Sequence, residues 1–427
     1  MDLKEQLLYG LPVFLAPILI ELVVGVARRK PAYRLNDLLT NLTMSLLTVL
    51  GSVVIAGATF VFYAYVHQHH ALFPLATDSA WTWVVAFFAY DFFYYWAHRL
   101  HHTMACLWGI HVAHHSGEDM NFGLAVRQSA LGELTTWPFF VPMALLGIAP
   151  EVFLGITGIQ LIFQYAIHNT YVPPLGWLEY LLVTPSQHRV HHSRNTPYID
   201  KNYGNVLVVW DLLFRTYQPE LKDQPPVYGL RSSIRSWNPF VAHFHYFVEL
   251  LQKAAACERL ADRVRCFIKG PDWTPPSLRK DRFTGPVDDG PSARFNKYDP
   301  KLPLPVTAYC VAQFFSLAAS ILLLAWYLDT LGLLVRCAAL ALVLFSAWSL
   351  GTLMDARAFA WRQECARLAC IALLGPALAL MEGAPLVSAL PILLHPVLSG
   401  TWLLRFRASF QKGAYTPTAA GPGALAA

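Results

Sequence analysis

The chain has 427 residues, of which 55% are hydrophobic and only 14% charged, with a formal net charge of +5 and a mean hydropathy of +0.39. A soluble domain usually carries about 25% charged residues, so this chain cannot clothe a globule of its size in charge. The same figures exclude a disordered chain and a disulfide-stapled secreted module, and the scattered basic residues leave no role for nucleic acid as a partner.

An all-α integral membrane protein with a substantial polar portion remains. A crossing helix needs roughly 20 mostly apolar residues. The first such run, Leu7 to Ala27, is interrupted only by Glu21. Its basic cluster (Arg28, Arg29, Lys30, Arg34) follows it, which marks an anchor rather than a signal peptide. The second run is Leu42 to Val66, and the third, Trp81 to Trp96, is aromatic-rich and contains Asp91. Two shorter runs between Leu134 and Ile167 are separated by Pro150 and Glu151. Each is marginal for a crossing; a dipping hairpin and two tight crossings would both return His168 to the side of His98.

From His168 to Lys301 charges return, and prolines and glycines crowd Lys269 to Pro305. Four more apolar runs follow: Leu302 to Leu328, Leu331 to Met354, Leu368 to Met381 and Pro385 to Leu404. The expected organisation is therefore N-terminal spans over 1–79, a histidine-bearing catalytic domain over 80–268, a linker over 269–301, C-terminal spans over 302–410 and a disordered tail over 411–427. The seven cysteines form no C-x-x-C pair and read as free thiols.

Lys and Arg in short loops set orientation. Arg28 to Arg34, then Arg357, Arg362 and Arg367, then Arg405, Arg407 and Lys412 fall on one side, while the loop His67 to Asp78 has neither residue. Counting spans places His98 on the positive, cytoplasmic side. That membrane would be the inner one in a bacterium and the endoplasmic reticulum in a eukaryote.

Ten of the sixteen histidines lie between His98 and His192, in three boxes. They are His98-Arg-Leu-His101-His102, His111-Val-Ala-His114-His115 and His188-Arg-Val-His191-His192. Residues three and four apart share a helix face, so each box is expected to present its imidazoles from one side. A lone histidine near a membrane interface is ordinarily structural; three boxes at the mouths of apolar spans are not explained that way. Eight or nine imidazoles exceed the four ligands of one tetrahedral ion and fit two ions, each taking four or five nitrogens. Imidazole suits iron, zinc, copper and nickel; oxygen chemistry favours iron.

The expected ligands are His98, His102, His111, His114, His115, His188, His191 and His192, with His168 as a ninth. His101 points about 100° away from His102 and is left out. His243 and His245 read as structural or as supports for ligands; His67, His69, His70 and His395 carry no expected role. Asp91 lies two helical turns before His98, where it can support a ligand imidazole or bridge two helices.

These boxes, with Asp200-Lys-Asn-Tyr203-Gly204, Trp210-Asp211 and Phe214-Arg-Thr216, resemble the fatty acid hydroxylase and sterol desaturase superfamily. The nearer resemblance within it is to the tetrahydropterin-dependent branch that cleaves ether lipids. It is carried by His115-Ser-Gly-Glu118-Asp119-Met-Asn121, Arg127-Gln128-Ser129, Thr184-Pro-Ser, Tyr228-Gly229-Leu230 and Lys269-Gly-Pro-Asp-Trp273. Thr103 departs from that branch's pattern, which has glutamate there, and His101 is additional. The resemblance implies a transmembrane helical bundle with a cytosol-facing, histidine-rich di-metal catalytic domain. It implies two Fe ions, O2 as co-substrate, tetrahydrobiopterin or another reductant or electron-transfer partner, and a lipid drawn from the bilayer. An alkylglycerol hydroxylated next to its ether oxygen would collapse to a fatty aldehyde and a glycerol derivative.

Glu118, Asp119 and Asn121 are then candidates to anchor ligand imidazoles or a glycerol head group, and Arg127 and Gln128 to do the same or bind the cofactor. Helix capping is an equal account of Asp119 and Asn121. A sterol or fatty-acyl hydroxylase or desaturase is the alternative within the superfamily. A zinc-dependent membrane hydrolase and a metal transporter are the alternatives outside it.

Overall fold

The computed structural model describes residues 3–278, 297–383, 385, 387 and 389–411. Among these the chain is helical, with two isolated bridges (Leu182 to Leu207, Ser193 to Tyr228) and no strand. The tail beyond residue 411 and residues 279–296 of the expected linker lie outside the described residues.

Among the described residues four helices are long and apolar enough to cross a membrane: Gly10–Ala27 within α1 (Leu3–Ala27), α12 (Leu304–Tyr327), α13 (Leu333–Met354) and α14 (Ala360–Met381). The second helix, α2 (Leu35–His70), is a fifth if its halves, bent by 46°, form one span. The third apolar run forms α3 (Ala80–Thr103) but is not among them. Its tyrosines, tryptophans and Asp91 dilute its hydropathy. Helices α6 (Glu133–Leu145) and α7 (Pro150–Ala166) have 13 and 17 residues, so neither reaches the roughly 30 Å of a bilayer core at about 1.5 Å per residue. They make a hairpin. Its tip meets the far end of α2, where Leu72 N donates to Leu145 O at 2.7 Å and the Tyr63 hydroxyl to Ile148 O at 2.9 Å. The return strokes His168 back to the level of the first box.

α14 starts eight residues earlier than the apolar run Leu368 to Met381, which places Arg362 and Arg367 in the helix instead of a loop. Arg367 is buried against Glu364 (2.6 Å), and the Tyr309 and Ser349 hydroxyls also donate to that carboxylate. Pairing of this kind makes a charge tolerable inside an apolar bundle. The last apolar run forms α15 (Ala389–Arg405), and the short α16 (Arg407–Gln411) follows it.

Two apolar cores share α2. Leu39, Leu46 and Leu50 pack with Tyr309, Ile321, Leu350 and Met354 of the C-terminal bundle. Tyr63 and Val66 pack with Tyr90 of α3, Phe140 and Met143 of α6, and Val152 and Ile156 of α7. The basic clusters gather at the end of the molecule that carries the boxes. Arg34 bonds Asp119 at 2.6 Å beside the second box, Asp355 accepts Trp237 N at 2.6 Å, and the Arg407 guanidinium lies over the Trp361 ring.

Candidate metal centre

The first two boxes sit on separate helices. Extended Met104 (φ −119°, ψ 123°) ends α3 and opens α4 (Ala105–His115), so the boxes face each other across one residue. The third box occupies α8 (Pro185–His191), started by a Thr184–Gln187 capping box with Pro185 at the first helical position. His168 follows α7.

These elements bring the nine expected imidazoles into two groups: His98, His102, His111, His115 and His191, and His114, His168, His188 and His192. Within each, the candidate ligand nitrogens lie within 4.8 Å of one another. The boxes do not each face one centre, as the sequence spacing suggested. His98 and His102, His111 and His115, and His188 and His192 stay together as i, i+4 pairs, while the i+3 residues His114 and His191 cross to the other group. On a helix the i+3 and i+4 side chains diverge by about 100°, enough to serve neighbouring centres. The groups share a wall, with the His115 and His192 rings stacked at 4.4 Å.

Protonation follows from the hydrogen bonds. The Nδ1 of His98 faces Tyr203 O (3.0 Å), that of His114 Arg127 O (3.1 Å), that of His168 Gln164 O (2.7 Å) and that of His191 Lys201 O (3.0 Å). A carbonyl only accepts, so each Nδ1 carries the proton and each Nε2 of a neutral ring is a bare lone pair. His114 and His168 nevertheless oppose their Nε2 atoms at 3.3 Å. The buried Nε2 atoms of His102 and His191 have no hydrogen-bond partner. Converging lone pairs repel unless a cation sits among them, and the donor set fits two imidazole-ligated metal ions. Burial holds the second- and third-box rings neutral: it depresses His114, His115, His188 and His192 well below the ordinary histidine value, helped by neighbouring imidazoles, and His191 to about 3. Neutral imidazole is the ligating form.

The remaining histidines lie outside both groups. His101 bonds Ala97 O and Thr135; His243 accepts Ala130 N at 3.0 Å; His245 bonds Val241 O; His395 reaches Gln313 in the C-terminal bundle. His67, His69 and His70 end α2 at the hairpin-tip end of the molecule.

The polar candidates fall in two places. Glu118 accepts from Ser233 (2.7 Å) and Tyr298 N (2.9 Å) and pairs with Arg34, as does Asp119, which also pairs with Lys297. Neither bonds an imidazole, because the chain turns away after Ser116 toward the basic segment that follows α1. Asn121 caps α5 (Phe122–Ala125) through Leu124 N and donates to Ala32 O. Arg127 and Gln128 do touch the site. The Arg127 carbonyl accepts from His114 Nδ1 at 3.1 Å, and the Gln128 amide nitrogen, 3.1 Å from the same atom, donates to Ala125 O. The fully buried Arg127 guanidinium donates to Ala113 O, Ser116 Oγ and Asn41 Oδ1 and so ties down the end of α4. Burial lowers it to about 10, still charged at neutral pH. Arg127→Met leaves those acceptors unpaired, and we expect a loss of about 3 kcal/mol of stability. A thermal melt of the detergent-solubilised protein with metal analysis checks this; an unshifted melt contradicts it.

Asp91 supports no histidine. It accepts Val206 N (2.8 Å), Leu207 N (3.3 Å) and Trp210 Nε1 (2.8 Å), so it bridges a helix to a loop. The carboxylate that does align an imidazole of the first group is Asp211, to which the sequence reading gave no role. It receives Tyr203 N and Gly204 N at 2.8 Å each, and the Tyr203 carbonyl holds His98. A Cβ at Gly204 would come within 2.8 Å of the Asp211 carboxylate, so glycine is required for that approach. Its sequence signal is the Trp210-Asp211 pair seven residues past Gly204. Asp91→Leu strands three donors at about 1–3 kcal/mol each. The expected result is a sharply lower melting temperature, with Asp91→Asn intermediate; equal melts for all three proteins would contradict it.

A fatty acid hydroxylase family model matches residues 83–216, which contain all three boxes. Alkylglycerol monooxygenase from Danio rerio is 36% identical over 85% of this chain and 80% of its own length, and the protein of that name from Homo sapiens is 35% identical over 81% and 77%. Ornithine lipid hydroxylase OlsE from Rhizobium tropici is 31% identical over 35% of this chain and 45% of its own. No solved structure matches. Fold, histidine groups and relatives together define an oxidoreductase of the multi-pass membrane lipid monooxygenase class. The chain belongs to the alkylglycerol monooxygenase family.

Proposed function

We propose that the two imidazole groups hold two iron ions and that the chain hydroxylates an alkylglycerol at the carbon next to its ether oxygen. The opposed, unprotonated Nε2 atoms of His114 and His168 carry the metal part of this reading; the names of the relatives support the ether-lipid part. Iron so held would supply the O2 activation needed to oxidise the C–H bond next to the ether oxygen. One O2, two electrons and two protons give the hydroxylated ether and water. The product is a hemiacetal, which collapses without further redox change: its bond from carbon to the glycerol oxygen breaks, the hydroxyl proton passes to that oxygen, and a fatty aldehyde and a free glycerol hydroxyl result. The electrons come from tetrahydrobiopterin or another reductant.

The chain's own work is positional. The carbonyls of Tyr203, Arg127, Gln164 and Lys201 aim four imidazoles, Asp211 holds the Tyr203 turn, and Arg127 fixes the end of α4. Burial of the rings keeps water away from them. Thr103 spends its hydroxyl on Arg99 O (2.9 Å), so no acid stands there to meet a pterin. The basic clusters at the histidine end support a cytoplasm-facing site by the positive-inside rule.

Proteoliposomes with an alkylglycerol and tetrahydrobiopterin test this. The expected result is one aldehyde formed per O2 consumed. A hydroxylated acyl chain or sterol without aldehyde would move the substrate elsewhere in the superfamily, and product formed without O2 would remove the oxygenase reading.

A further inference from the structure

We infer that two short segments outside the apolar runs, residues 171–181 with the 3-10 turn Gly176–Tyr180 and residues 206–213 with α9 (Val209–Leu213), enter the bilayer beside α3 and α7, with their outward side chains solvated by acyl chains. The inference rests on the membrane character of the chain and is independent of the substrate and metal proposed above.

The first observation is what these loops show to the outside. Trp177, Tyr180 and Leu181 are 73%, 64% and 52% exposed, and Leu212 and Leu213 are 41% and 62% exposed. The loops adjoin: Val208 N donates to Leu181 O, and Leu182 bridges Leu207. Their charged residues are Glu179 and Asp211, both buried. A contiguous apolar, aromatic surface without charge marks an interaction site.

The second observation is how the backbone is satisfied. Irregular backbone survives away from water only when protein groups replace water as partners. Asp91 takes Val206 N and Leu207 N; Asp211 takes Tyr203 N and Gly204 N; Glu179 takes Leu175 N at 3.1 Å. Two glutamines of α7 serve Asn205: Gln164 donates to its carbonyl at 2.6 Å, and Gln160 accepts its side-chain amide. Asp91 of α3 and Gln160 and Gln164 of α7 are thus directed at one loop.

The third is position. Asp91 lies seven residues before His98, about 10 Å toward the apolar end of α3. The loop it holds is level with that stretch, where Phe92 packs on Trp210 (5.0 Å) and Trp96 on Phe214 (4.9 Å). The patch is continuous with the exposed apolar faces of α3 (Val84, Phe88) and α7 (Ile159, Ile162). Exposed Arg215 follows it, as a basic residue follows a buried stretch at a membrane surface.

A lipid-partitioning aryl diazirine, photolysed in proteoliposomes of the whole chain, tests the inference by peptide mass spectrometry. Peptides with Trp177–Leu181 and Val209–Leu213 are expected to be labelled like the exposed face of α7 and at least about five-fold above residues 217–236, as lipid-immersed apolar faces should be. Labelling no higher than that of residues 217–236 overturns it. The Trp177→Ser, Leu213→Ser double variant supplies the second reading. An unchanged oligomeric mass in detergent supports a lipid-facing patch, whereas dissociation to a smaller species assigns the patch to another copy of the chain and overturns the inference.

Discussion

His114→Ala is expected to lower turnover by at least about 100-fold, because even outer partners of ligating histidines are worth about 10–100-fold. His114 is one of four rings in its group, so its removal leaves three donors, and bound metal should fall from two ions per chain toward one. His191→Ala should cost as much turnover, but four imidazoles remain in its group. That variant is expected to keep most of its metal until a chelator competes. Metal analysis alongside lipid turnover separates the two effects. Full activity in either variant would contradict the ligand assignment, and equal metal loss in both would contradict the division into four and five.

Stripping the metal and reloading it has the second large effect. Chelation under reducing conditions should abolish turnover; Fe(II) should restore it, and Zn(II) should not. Zinc binds imidazole cages more tightly than ferrous iron, so the zinc-loaded protein should be filled and inert toward O2. Lipid cleavage by zinc-loaded protein under anaerobic conditions would replace the monooxygenase chemistry proposed here with hydrolysis.

Particular residues show how far the sequence carries. Paired histidines at helical spacing were readable because the α-helix repeats every 3.6 residues whatever surrounds it. Apolar runs were readable because a bilayer sets their length, although α6 and α7 formed a hairpin too short for two crossings. Glu118 and Asp119 bond no imidazole because nearness in sequence to His115 is not nearness in space: both partner Arg34 and the segment at 297–298. Asp91 was misjudged for the same reason, since its partners lie more than one hundred residues away.

By itself the sequence determined that this is a helical membrane protein with enough clustered imidazole for two metal ions, since composition and local periodicity are properties of the chain alone. Tertiary structure alone decided which imidazole joins which group, and that Tyr203, Arg127, Gln164 and Lys201 orient them through backbone carbonyls. A carbonyl is common to every residue and leaves no mark in the sequence; only folding selects which one faces a ring.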